Sequence, residues 1–282
     1  MGEQRKRPKA VHTGVVESTE RLTDGMVRVV LGGDGLSGFE IDGCTDSYVK
    51  LLLRADGGPL PEPFDYERFR EQHPKSEWPV KRTYTVRAWD PDRRRLTIDF
   101  VVHGDRGVAG PWAAAARPGD RLHFMGPGGG YAPGQWADWH LLAGDDSALP
   151  AIAAAVEALP DRCRAHVFVE VEGPQHEQHV AVPDGVQVTW LHRGQQRVGT
   201  SLVPAVRELD FPDGAVHAFV HGEANFVKEL RSLLRVEHGI PKKQLSISGY
   251  WKRGGDEDAW QAGKAEFNRA IEEEEAARIA AA

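Results

Sequence analysis

The stretch His103-Gly104-Asp105-Arg106-Gly107-Val108-Ala109-Gly110-Pro111-Trp112-Ala113 has the chemistry of an anion site. It leaves a strand-like run, passes through glycines and enters an Ala-rich segment where Pro111 suits a first helical turn. Backbone amides at such a helix start point outward with partial positive charge, so a phosphate can rest on them. Upstream, Arg82-Thr83-Tyr84-Thr85 combines a planar cation, an aromatic ring and two hydroxyls. A fixed guanidinium suits a diphosphate, and a tyrosine offers a wall to a flat ring. Taken singly, each motif is also an ordinary piece of strand or a plain strand-to-helix turn. Lys50 lies opposite the face of Val49, Leu51 and Leu53, so it points out of the core. Lys252 and Arg253 follow Tyr250-Trp251 at the end of the last strand-like run, where open sheets place ligands. Each of the three, taken alone, is more often a solvated cation.

The elements that carry these residues change rhythm midway. Residues 27–31, 48–53, 83–88 and 96–103 are short strand-like runs broken by Gly, Pro and Asp. In the last, Leu96, Ile98, Phe100 and Val102 alternate with Thr97, Asp99, Val101 and His103, the period of a half-buried strand. Asp90-Pro91-Asp92 is a turn, and residues 59–79 form a polar excursion between strands. This half predicts a small antiparallel barrel. Further on, strand-like residues 139–143, 166–171, 186–191, 216–221 and 245–247 alternate with helices, including one from Glu223 with Phe226, Leu230, Leu233 and Leu234 on one face. That predicts a parallel sheet covered on both faces. A Gly/Pro-rich boundary near residues 127–136 gives domains at 1–130, 131–255 and a helical extension at 256–282. The extension carries a sparse stripe of Trp260, Phe267, Ile271 and Ile279, so it must dock to be stable.

The chain has 282 residues, 40% hydrophobic and 27% charged, which fits a two-domain globular protein. Its formal charge of −7 argues against a broad nucleic-acid-binding face. No apolar run approaches the ~20 residues of a membrane span. Arg5, Lys6, Arg7 and Lys9 precede no apolar run, so no secretory leader is expected and the cytoplasm is. Cys44 and Cys163 read as free thiols. The histidines form no strong metal set, and no nucleophile elbow or pair of catalytic carboxylates is recognisable.

In order, Arg82 to Thr85, His103 to Ala113, Arg117-Pro118-Gly119-Asp120, Met125-Gly126-Pro127-Gly128-Gly129, Leu141 to Ile152 and Ser248-Gly249-Tyr250-Trp251 resemble the siderophore-interacting protein family of the ferredoxin–NADP reductase superfamily. The likeness covers nearly the whole chain. It implies an antiparallel six-stranded Greek-key FAD-binding barrel, then a parallel-sheet nicotinamide-binding domain and the C-terminal helix. Arg82 would neutralise the FAD pyrophosphate, Tyr84 pack by the flavin, and Thr85 bond near its reactive nitrogen. Thr83, Val102, His103, Gly107, Val108, Ala109 and Trp112 would complete the cofactor site, with Asp146, Ser147, Tyr250 and Trp251 from the second domain. Asp146 and Ser147, where the family more often has Glu and Thr, are expected to cap helix N–H groups. Val108 and Gly110 stand where the family shows Pro and Ser, so an amide must replace one hydroxyl contact. Arg193, after a strand, reads as a solvated arginine or as a partner for a 2′-phosphate.

The expected substrate is an anionic ferric siderophore drawn in by Lys50, Lys252 and Arg253, and the expected donor is NADH, NADPH or a reduced ferredoxin. A monomer is expected. Two rivals are a general flavin or quinone reductase and a siderophore carrier without redox chemistry.

Overall fold

The computed structural model describes residues 10–281; Arg5 to Lys9 lie outside them. The chain forms two compact units, divided between Gly129 and Gly130.

The first unit carries β1 (Val11–Thr23), β2 (Met26–Gly32), β3 (Tyr48–Leu53), α1 (Tyr66–Gln72), β4 (Val80–Thr85), β5 (Ala88–Asp90), β6 (Arg95–Val101), α2 (Ala109–Ala115) and β7 (Arg121–Gly128). Its seven strands pair in the order β4-β3-β7-β1-β2-β6-β5, every pair antiparallel. The two edge strands are neighbours in sequence. Val86 N donates to Ser47 O at 2.7 Å on one side, and Arg87 N to Thr97 O at 2.9 Å on the other. One bent run thus supplies both edges and closes the sheet; with β4 and β5 taken as one, the barrel has the expected six strands.

The bend is pinned by a buried carboxylate on the face of β6 opposite the core. Asp99, its side chain 1% exposed, takes a bidentate pair from Arg28 at 2.7 and 2.8 Å and faces Arg87 at 3.9 Å. Val29, Leu31, Val49, Leu51, Leu96, Ile98, Phe100 and Phe124 fill the interior. The expected strand at 83–88 is therefore two strands, broken where the chain changes partners. Within the excursion at 59–79 lies α1, begun by Asp65, which accepts from Arg68 N at 3.0 Å.

The second unit carries β8 (Trp139–Asp145), α3 (Leu149–Glu157), β9 (Ala165–Val171), β10 (Gln187–His192), α4 (Leu202–Arg207), β11 (Val216–Glu223), α5 (Ala224–Ser232), β12 (Leu245–Trp251) and α6 (Glu257–Ala281). Its five strands are all parallel, in the order β10-β9-β8-β11-β12. Order reverses between β8 and β11, so the crevice at their C-terminal ends is the place for a ligand. Glu170, fully buried, accepts from Gly199, Ser201 and Leu202 N at 2.7 to 3.0 Å and so anchors the start of α4.

Helix α6 docks on α5. Glu275 accepts from Arg231 at 2.7 Å and Arg235 at 2.8 Å, Lys242 reaches Glu272 and Lys228 reaches Glu274. Trp260 and Ile271 are buried, but Ile279 is 43% exposed, so the apolar stripe ends before the helix does.

Candidate functional site

In the barrel, Arg82 and Tyr84 point to one face of β4 and are half-buried, with Thr83 exposed on the other. The Tyr84 ring lies 4.6 Å from Phe100, whose ring lies 5.7 Å from Trp112 of α2. This chain of rings brings the Arg82 strand and the start of α2 to one side of the unit. Arg82 donates to Lys81 O at 2.8 Å, and Thr85 is buried.

The turn into α2 uses Gly104 and Gly107 at φ +56° and +75°, a backbone conformation that favours glycine. No side chain caps the first turn of α2. At Gly110 a Cβ would stand 3.0 Å from Val101 O, so the helix packs too closely on β6 for serine there without a shift. That gives a packing reason for one departure from the family pattern. Val102 and Ala109 have buried side chains, so a ligand can reach only their backbone; His103 is exposed, and Val108 and Trp112 pack partly on the core.

This set fits a flavin dinucleotide: a guanidinium for phosphate, helix amides with no side-chain cap, a glycine turn that lets backbone approach, and an aromatic wall.

Lys50 is the register partner of Thr83 and Leu51 of Arg82. Lys50 therefore shares the outer face with Thr83, away from Arg82 and Tyr84. Cys44 is no reactive thiol: burial first, then Asp42 and Asp46, push it up to about 11.

In the α/β unit the crevice is organised by a residue outside the expected site set. Asp145, fully buried at the end of β8, accepts from Ser147 N at 2.9 Å, Ser147 Oγ at 2.6 Å, Glu223 N at 2.9 Å and Trp251 Nε1 at 2.9 Å. It ties the ends of β8, β11 and β12 together. Burial, partly offset by the Ser147 hydrogen bond, raises its carboxyl to about 6.

Asp146 and Ser147 do not cap α3, whose N-cap is Ala148 with no side-chain bond. Ser147 is held by Asp145, and Asp146 pairs with Arg193 at 2.9 Å. Both expected caps are thus corrected: the two side chains turn to their neighbours instead of the helix. Nor is Arg193 solvated, with its side chain only 11% exposed.

Glu223 caps α5 through Asn225 N at 2.8 Å and also accepts from Arg253 N at 3.1 Å. Tyr250 and Trp251 are half-buried on β12. Lys252 stands over the Phe267 ring of α6 at 4.6 Å, and Arg253 is exposed. His221 is buried; burial, then the charge of Lys264, lower it to about 3, and its Nδ1 has no hydrogen-bond partner. Arg193 Nη1 is likewise buried without one. Two orphaned nitrogens beside a switch-point crevice suit a polar ligand there.

A closed antiparallel barrel with a phosphate-ready helix start, followed by a five-stranded parallel sheet, defines a two-unit flavoprotein oxidoreductase that uses FAD. Residues 15–131 match the siderophore-interacting FAD-binding domain and residues 137–254 the siderophore-interacting protein model. The chain belongs to the siderophore-interacting protein family. It is similar to the ferric vibriobactin reductase ViuB of Vibrio cholerae, 35% identical over 85% of this chain and 88% of that protein. It is also similar to the NADPH-dependent ferric-chelate reductase of Escherichia coli, 29% identical over 82% of this chain and 89% of that one. Among solved structures, a siderophore utilization protein from T. fusca is 36% identical with a TM-score of 0.75, over 88% of this chain and 95% of the other.

Proposed function

We propose that the protein is a ferric-siderophore reductase that passes electrons from a reduced nicotinamide, through FAD, to chelated Fe(III). The observation that carries this reading is the linked set of Arg82, Tyr84, Phe100 and the start of α2 inside a siderophore-interacting FAD-binding domain. Bound FAD supplies the chemistry of accepting a hydride and giving up electrons singly.

The chain's own residues bind and orient. Arg82 and the amides opening α2 would together hold the pyrophosphate of FAD, with Gly107, Val108, Val102 and His103 shaping the turn. Tyr84 would wall the flat ring, with Trp112 supporting the wall through Phe100, and Thr85 at the end of β4 would supply a hydroxyl, whereas Thr83 faces away with Lys50. In the second unit, Asp146, Ser147, Tyr250 and Trp251 would line the crevice at the strand ends that takes the donor. Lys50, on the outer face of the barrel, and Lys252 and Arg253, after β12, would each add positive charge that attracts the anionic iron complex. No side chain need act as acid or base. Hard oxygen ligands hold Fe(III) far better than Fe(II), so reduction releases the metal. The reading divides the chain into a flavin unit at 1–130, a donor unit at 131–255 and a helical extension at 256–282, acting as a monomer in the cytoplasm.

Stopped-flow reduction of the bound flavin by NADH, NADPH and reduced ferredoxin, followed by reoxidation with several ferric chelates, tests it. Fast reoxidation by ferric siderophores is expected. Equal rates with free flavin or quinone would favour a general reductase, and colourless purified protein would end the redox reading.

A further inference from the structure

At the C-terminal end of the parallel sheet, one guanidinium is only half used. Arg193 follows β10 and is fixed by its own N bonding Val171 O at 3.0 Å and Gly194 N bonding Glu172 O at 2.9 Å. Its Nη2 meets Asp146 Oδ2 at 2.9 Å, with the two side chains 11% and 19% exposed. Its Nη1 is buried and has no hydrogen-bond partner. A buried N–H group without an acceptor is costly, so the arrangement calls for a ligand oxygen.

We infer that the Asp146–Arg193 pair reads the adenosine ribose of NADH and turns away the 2′-phosphate of NADPH. The inference rests on the reading above that a dihydronicotinamide reduces the flavin.

Position and charge carry it. Asp146 follows β8 and Arg193 follows β10, so the pair lies at the end of the sheet where a dinucleotide crosses. As an ion pair it is close to neutral. Its carboxylate can accept from a ribose hydroxyl, and Nη1 can donate to a ribose oxygen, which fills both partners. A phosphate would bring nearly two negative charges against Asp146 at a site mostly shielded from water. The neighbouring acids add to this repulsion: Asp145 and Glu223 lie at the ends of the adjacent strands. In the same turn the His192 imidazole meets Glu177 at 2.7 Å, and the one further cation, Arg197, is exposed to solvent, where its charge is screened. Arg193 alone would suit a 2′-phosphate; Asp146 beside it changes the preference.

The test titrates the FAD-loaded protein with 5′-AMP and with 2′,5′-ADP by calorimetry, in the parent and in Asp146→Asn and Asp146→Ser. Flavin reduction by NADH and NADPH is measured alongside. The parent should bind 5′-AMP tighter, and be reduced more readily by NADH, by on the order of tenfold, and both substitutions should shift that ratio toward the phosphorylated ligand by about as much. A parent that prefers 2′,5′-ADP, a ratio unmoved in the variants, or no binding of either fragment overturns the inference. The parent ratio decides the matter alone if the variants do not fold. Reoxidation of dithionite-reduced protein by a ferric siderophore needs no nicotinamide. Normal reoxidation with a failed fragment result sinks only the donor inference, whereas absent reoxidation sinks the siderophore reading and leaves the fragment ratio to judge the donor.

Discussion

The barrel and the α/β unit treat their polar groups in different ways. In the barrel, Arg82 is half-buried at the edge strand β4, and no side chain caps the first turn of α2. In the α/β unit the polar groups at the strand ends hold one another: Asp145 takes Trp251 and Glu223 N, and Asp146 takes Arg193. The first arrangement is ready for a strongly charged diphosphate. The second is acidic, largely self-satisfied and selective, with a few orphaned nitrogens left for a ligand. Under the proposed function, a tightly held cofactor and an exchanging donor would use this contrast: strong charge pairing for the one, and weak, discriminating contacts for the other.

The largest effects should come from groups that set up these two arrangements. Asp99→Ala leaves Arg28 and Arg87 beside an empty buried site at the bend between β4 and β5. It should cost about 3–5 kcal/mol of stability, read by denaturant unfolding. A loss below 1 kcal/mol would show that Asp99 does not pin the bend. Asp145→Ala orphans the Trp251 indole and Glu223 N, and should cost about 2–4 kcal/mol, with a shift in Trp251 fluorescence. An unchanged emission spectrum would break the claim that Asp145 holds the three strand ends together.

Asp145 also predicts a pH dependence. Its folded value of about 6 lies above the ordinary carboxylate value near 4, so the folded chain binds this proton more tightly than the unfolded chain. The stabilisation from this group is full below about pH 4 and is lost as pH rises through about 6, a change of about 3 kcal/mol. His140 and His221, lowered to about 4 and about 3 chiefly by burial, act in the opposite sense and cost stability as pH falls below about 6.5. Asp145→Asn should therefore remove the loss between pH 4 and 7 and keep the loss on the acid side. Parallel pH profiles for parent and variant would contradict the shift.

A smaller effect belongs to α6. Glu275→Ala breaks two partly buried arginine contacts and should cost about 2 kcal/mol, exposing α6 to limited proteolysis. Glu274→Ala, at an exposed pair, should leave the digestion pattern unchanged.

Much of this was legible in the residues. The alternation at 96–103 placed β6 because one face is buried, and the change to strand–helix alternation placed the parallel sheet. Strand β1 was hidden because its inward positions include His12 and Gly14 as well as Val16, which do not read as an apolar stripe. Gly14 is needed there because a Cβ would stand 2.8 Å from that of Leu31. Strand β7 hides in the same way, with buried His123 between Leu122 and Phe124. The expected caps at Asp146 and Ser147 followed local rules. Asp145 and Arg193 outcompeted those rules through contacts made only once distant strands are adjacent. The link from Tyr84 through Phe100 to Trp112 was invisible for the same reason.

The most direct test of the account is the FAD affinity of Arg82→Ala, measured by titrating flavin into the stripped protein. The parent should bind one FAD per chain, and the variant should bind on the order of 10- to 100-fold more weakly, as expected for losing a charge-assisted contact to phosphate. A variant that keeps the parent's affinity and flavin content would contradict the assignment of Arg82 and the α2 amides as the grip on the dinucleotide.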